Sequence, residues 1–119
     1  MNKPDPKDRR KLKRRHVIFY SRVFDRNSGA LLGHLMDITI EGLMLISDTP
    51  LTTDLTYRLR MDLPEDVMTK AYLSFDAHCL WCKPDINPAF YNAGFKVLNM
   101  AQEDVDLIEN MIDEYGFRD

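Results

Sequence analysis

Short runs rich in apolar and β-branched residues recur between residues 16 and 98, separated by turn-forming residues, and in two of them apolar and polar residues alternate. A period of two is the mark of a strand with one buried face. The clearest case has Leu55, Tyr57, Leu59 and Met61 alternating with Thr56, Arg58 and Arg60. Before it, apolar and β-branched residues rise sharply over 16–24, predicting a first strand. Asp25-Arg26-Asn27-Ser28-Gly29 is turn chemistry, with Asn and Gly suited to left-handed backbone. A second strand is predicted at about 31–38 and a third at about 42–47.

Asp48-Thr49-Pro50 breaks the pattern before the fourth strand, and Leu63-Pro64-Glu65-Asp66 breaks it after. In the long fifth strand, Leu73, Phe75, Ala77, Cys79 and Trp81 fall on one face. Tyr72, Ser74, Asp76, His78, Leu80 and Cys82 fall on the other. A loop at 84–88 leads to a sixth strand at about 90–98, interrupted by Gly94. The period then lengthens: Val105, Ile108, Ile112 and Tyr115 recur at helical spacing, acidic residues fill the opposite face, and Gly116 ends the run. Asn99 with Gln102 forms a capping-box-like pair for a helix at about 100–116. Six strands and one terminal helix predict an all-β fold, a six-stranded antiparallel β-barrel with a C-terminal helix on its outside or end.

Residues 1–15 stand apart, because they contain two prolines and offer only Leu12 as an apolar side chain. They read as a flexible basic arm preceding a single domain at 16–119. Charge sharpens this division. The chain carries a net charge of −3, yet residues 1–26 hold ten Lys or Arg against three Asp, and residues 100–119 hold seven Asp or Glu against Arg118. A basic head calls for an anionic partner. No apolar run approaches the roughly 20 residues that cross a bilayer. No apolar stretch follows the N-terminal charges either, so a secretory signal is not expected and the cytoplasm is the expected compartment.

Cys79-Leu80-Trp81-Cys82 has redox or zinc spacing, but on a regular strand residues three apart face opposite ways. Nor do His16, His34 and His78 have the spacing to complete a zinc site. Structural thiols are therefore expected, with no metal and no cofactor. No nucleophile sits beside a base in a recognisable motif and no carboxylate pair has an obvious partner, so no catalytic residue is assigned and the chain is not expected to be an enzyme.

Two stretches carry the candidate chemistry. The first is Arg9-Arg10-Lys11-Leu12-Lys13-Arg14-Arg15, in which Arg10 and Arg14 are four apart. Guanidinium forks match phosphate bidentately and stack on flat rings, although a basic run is also what a solvated tail looks like. The second is Asp37-Ile38-Thr39-Ile40-Glu41-Gly42. On extended backbone Asp37 and Thr39 face one way, and Ile38 and Ile40 point into the barrel. An acceptor-only carboxylate beside a hydroxyl suits a guanine edge, with its N1–H and amino donors next to an acceptor oxygen. Gly42 allows positive φ or close backbone approach. The alternative is a hairpin corner whose Asp and Thr cap local amides.

Arg-Xaa-Xaa-Xaa-Arg ahead of a first strand, followed by Asp-Xaa-(Ser/Thr)-Xaa-Xaa-Gly about two strands later, resembles the PilZ domain family. The six strands, Trp81, Gly94 and the terminal helix agree, from about Arg9 to Tyr115. The resemblance implies a small barrel that binds the bacterial second messenger cyclic di-GMP. It implies that Arg10 and Arg14 grip phosphates and guanine Hoogsteen edges, that Asp37 bonds a guanine edge, that Thr39 adds its hydroxyl and that Gly42 shapes the turn. Arg9, just before the first motif arginine, points to an intercalated ligand pair. Two departures are Thr39 where the family usually has Ser, and Val97 where it often has Phe. The resulting expectation is a cyclic di-GMP receptor that signals to an effector protein through ligand-induced ordering of its arm. The alternatives are a PilZ-like interaction module without nucleotide, and a nucleic-acid-binding barrel. The last is disfavoured by the net charge and by the lack of basic residues interleaved with exposed aromatics beyond the arm.

Overall fold

Each predicted strand forms because its alternate apolar residues meet those of five others around one core. The computed structural model describes residues 21–63 and 70–115. Six strands, β1 (Arg22–Asp25), β2 (Leu31–Ile38), β3 (Gly42–Ser47), β4 (Thr56–Asp62), β5 (Tyr72–Pro84) and β6 (Tyr91–Asn99), close into an antiparallel barrel in the order β1-β2-β3-β6-β5-β4. One helix, α1 (Gln102–Tyr115), follows. Within the barrel Val23, Leu35, Leu45, Leu59, Met61, Leu73, Ala77 and Cys79 are fully buried. Ile108 and Met111 of α1 complete the same core. No described helix is long and apolar enough to cross a membrane.

The first strand differs from expectation. Where 16–24 was predicted, β1 begins at Arg22 and runs to Asp25, and residues 16–20 lie outside the described region. The turn after it forms as its residues demand: Asp25 accepts from the Asn27 and Gly29 amides, and Gly29 takes φ 77°.

Two corrections come from β5 and α1. The alternation in β5 holds from Tyr72 to Cys79 and then fails, because an extra residue, Leu80, bulges between the pairs Cys79–Phe95 and Trp81–Gly94. Trp81 therefore stands outside the barrel and Cys82 turns inward opposite Ala93. Both thiols are free and lie on the core side, contrary to the opposite-face reading. Burial raises the Cys79 thiol pKa above its ordinary value. The predicted capping pair also does not form. Asn99 belongs to β6 and donates to Asp76 at 3.1 Å, while Gln102 donates to Asp106. The first turn is closed by the Ala101 carbonyl, which accepts from the Asp104 and Val105 amides. Asp104 is 5% exposed and receives Lys70 Nζ at 2.6 Å. That hydrogen bond holds the Lys70 ammonium pKa above its ordinary value and fixes the start of α1.

On the outer surface the Trp81 indole lies across Gly94. A Cβ built there would be 2.3 Å from Nε1 and 2.4 Å from Cε2 of the indole. Gly94→Ala must displace the ring, and is expected to destabilise the fold by about 1–3 kcal/mol. Trp81 is the one tryptophan of the chain, so its emission should shift red in the same variant. In the double variant with Trp81→Ala the two costs should fall short of additive. Additive costs in urea denaturation would show that the two residues do not meet.

Candidate ligand-binding site

The candidate corner is built by a second bulge. Between the pairs Leu35–Leu45 and Asp37–Met44, Met36 is an extra residue in β2. The parity change leaves Ile38 inside, 1% exposed, and sets Asp37 on the exposed outer face. The Asp37 Oδ1 accepts from the Ile38 amide at 2.9 Å. Beyond it the chain reverses in a tight turn. The Thr39 amide donates to the Gly42 carbonyl at 2.8 Å, and Thr39 Oγ1 accepts from the Glu41 and Gly42 amides, each at 3.2 Å. The Thr39 hydroxyl lies 3.4 Å from the same carbonyl, as a donor. Both side chains thus engage local amides, the corner chemistry weighed above.

Ile40 does not point into the barrel as predicted. The turn carries it to the tip, where it is 40% exposed. Gly42 has no positive φ, and the requirement for glycine there is close approach, because a Cβ would come within 2.5 Å of the Phe95 carbonyl oxygen. The Glu41 carbonyl accepts from the Val97 amide at 2.8 Å. The turn is therefore pinned to β6 through main-chain contacts on both sides of its exit.

Asp37, Thr39, Gly42 and Met44 line a shallow groove of about 180 Å³. Thr39 also borders a wider one of about 440 Å³, whose other wall is the α1 face of Glu109, Asn110 and Ile112. Cross-strand register extends the first groove into a line. Asp37 stands opposite Met44, Met44 opposite Gly94 and Gly94 opposite Trp81. At the usual strand spacing the line covers about 14 Å. Lys83 closes it, its ammonium 5.1 Å from the Trp81 ring centroid. Met44, Trp81 and Lys83 were not among the predicted site residues. The available signal was Gly94, since a glycine within a strand marks close approach by another group.

The structure brings Asp37, Thr39 and Gly42 together. Arg9, Arg10 and Arg14 lie outside the described residues. The N-terminal end of β1 is tied to β2 by the Leu35 amide donating to the Ser21 carbonyl at 2.8 Å. With β1 antiparallel to β2, that end opens towards the Thr39 corner. Among the described residues no cluster of His, Cys, Asp and Glu has the arrangement of a metal site.

The sequence matches the family described as PilZ domain over residues 8–114. No curated protein sequence is significantly similar. Three solved structures share the fold, each at 14% identity. The Bacillus subtilis inhibitor of motility (MotI/DgrA) has a TM-score of 0.65 over 81% of this chain and 46% of its own. The PilZ domain of Escherichia coli YcgR, solved with c-di-GMP, scores 0.61 over 82% of each chain. Borreliella burgdorferi PlzA, in complex with c-di-GMP, scores 0.54 over 90% of this chain and 50% of its own. The chain thus spans about half the length of two of the three.

The turn geometry separates two substitutions. Thr39→Val removes the acceptor of two amides and should destabilise the ligand-free protein by about 1 kcal/mol, whereas Thr39→Ser keeps the acceptor and should melt within a degree or two of wild type. Equal melting of the Val and wild-type proteins would remove the hydroxyl from the account of the turn.

Proposed function

Because the chain belongs to the PilZ domain family, we propose that it is a receptor for cyclic di-GMP and passes the signal to an effector protein without catalysing a reaction. The observation that carries this reading is the Asp37 corner. A carboxylate is held on the outer face beside a turn pinned to β6, and the family match reaches back to residue 8 and so takes in Arg9 and both motif arginines, Arg10 and Arg14. Two proteins of the same fold were solved with this ligand.

The chemistry supports the assignment. Cyclic di-GMP presents two phosphates and two guanines. Asp37 can accept from the N1–H and amino group of one guanine, because an ionised carboxylate only accepts. Arg10 and Arg14 supply planar forks for phosphates and Hoogsteen edges, and Arg9 beside them suits an intercalated ligand pair. Met44 and the Trp81 indole lie in line with Asp37, offering an apolar and aromatic floor to a flat base. The end of β1 opens towards the corner, so an arm entering there needs only a short path to reach a ligand on Asp37. Ordering residues costs about 1–2 kcal/mol of backbone entropy each, so only a few around Arg10 to Arg14 are fixed, and only while phosphates draw them in. The surface so created between arm and barrel is what the effector reads.

Calorimetric titration tests the assignment directly. Cyclic di-GMP should bind and GTP should bind far more weakly, since a mononucleotide satisfies part of the set; equal affinity would rule the receptor out. Arg10→Ala and Arg14→Ala should each cost about 1.5–3 kcal/mol, roughly ten- to a hundredfold in affinity, with the melting temperature of the free protein unchanged. Hydrogen exchange tests the switch: protection should appear in residues 9–15 and 37–42 on adding ligand, with β4 to β6 nearly unaltered. Tight binding with an arm that exchanges equally fast in both states would refute arm ordering while leaving the receptor assignment intact.

A further inference from the structure

On the far side of the barrel, strands distant in sequence assemble an arginine–aromatic wall. Phe24 of β1 stands opposite Arg60 of β4, and Asp62 of β4 opposite Tyr72 of β5. The Arg60 guanidinium lies 4.5 Å from the Phe24 ring centroid and 5.4 Å from that of Tyr72. The Arg22 guanidinium lies 5.6 Å from the centroid of the same Phe24 ring. Tyr72 is 48% exposed. Arg58, one outward position along β4, is exposed, and its side chain makes no hydrogen bond, ion pair or ring contact among the described residues.

The charges on this wall are unbalanced. Arg22, Arg26, Arg58 and Arg60 face two carboxylates. Asp62 takes Arg22 at 3.0 Å, and Asp76 takes Arg26 at 3.0 Å. Arg60 Nε is 3.5 Å from Asp62 Oδ1, an ion pair whose geometry leaves that buried nitrogen without a hydrogen bond. The wall is thus a local cationic surface on a chain whose net charge is −3. Its aromatic rings are flanked by guanidinium planes, and its strands run side by side.

We propose that this wall is a second binding surface, taking single-stranded polynucleotide. Cations spaced along a sheet face track a phosphate backbone, while exposed aromatic rings and guanidinium planes stack bases without regard to sequence. An acidic protein segment would satisfy the arginines but make no use of the paired rings. The interleaving of basic and aromatic residues is invisible along any one segment, because it forms only when β1, β4 and β5 lie together. The surface is independent of the Asp37 corner, which stands on the β2–β3–β6 side.

The test is fluorescence anisotropy on the full chain with end-labelled 15-mers of oligo(dT) and oligo(rU), at about 50 mM salt and upward. Binding should appear in the micromolar to 100 µM range, with a salt slope of magnitude about 1.4 for the two arginine charges that Asp62 and Asp76 leave unbalanced, at ~0.7 each. Arg58→Gln should lower that slope by ~0.7. Tyr72→Ser should weaken binding about fivefold or more with the slope unchanged. Both side chains point outward, and circular dichroism should be that of wild type. The double variant Arg10→Ala/Arg14→Ala should keep the Tyr72 dependence, and saturating cyclic di-GMP should not displace the oligonucleotide. A preference for one oligomer identifies the natural strand as DNA or RNA. No binding at 50 mM salt overturns the proposal. So does binding lost with the arm arginines. So does binding indifferent to Tyr72→Ser and competed equally by poly-L-glutamate, which would mark an acidic protein segment as the occupant.

Discussion

Closing six short strands into a barrel requires the sheet to bend more than regular pleating allows, and the chain meets that constraint with inserted residues. Register shifts occur between Val23 and Phe24, around Met36, around Leu80 and opposite Asp76 and Ala77. Each adds twist and each resets which side chains face the core. The outward groups of the candidate corner follow directly: Asp37 comes immediately after the extra Met36, and Trp81 immediately after the extra Leu80. Their placement is a by-product of closing the barrel, and the glycines at 42 and 94 are what let the neighbouring main chain and indole come close enough for the line to form.

The same devices mark where sequence reading succeeds and where it stops. Strand existence was legible because β4 and β5 keep strict alternation over four or more residues, and a turn with Asn and Gly has a mechanism of its own. The faces of Trp81, Cys82 and Ile40 were not legible, since one inserted residue or one tight turn inverts a parity argument without leaving a compositional trace. The Asn99–Gln102 capping pair failed for a different reason. The strand ladder and Asp76 claimed Asn99 first, and a local signature yields to a tertiary hydrogen bond. In the candidate site the Asp37, Thr39 and Gly42 pattern was readable from the motif, whereas Met44, Trp81 and Lys83 enter only through cross-strand register.

The barrel presents two chemically distinct faces. One runs from Asp37 to Lys83 and combines a single carboxylate, apolar floor and aromatic ring, suited to the discrete donors of a small ligand. The other gathers arginines and rings from β1, β4 and β5, suited to a repeating partner. Between them sits the N-terminal end of β1, which opens towards the Thr39 corner. α1, held at its start by Lys70 and Asp104, contributes acidic and apolar residues beside the Thr39 turn.

The bulge at Met36 has an evolutionary corollary. Absorbing that residue into regular pleating, with no bulge opposite Leu45 and Met44, would carry the Asp37 carboxylate to the core side and expel Ile38, although every letter of the Asp-Xaa-Thr-Xaa-Xaa-Gly motif would survive. Loss of a site in a lineage can therefore be written in strand register rather than in the residues a motif inspects. Comparisons of barrels of this kind are best aligned by the spacing between the last inward leucine of β2 and the aspartate.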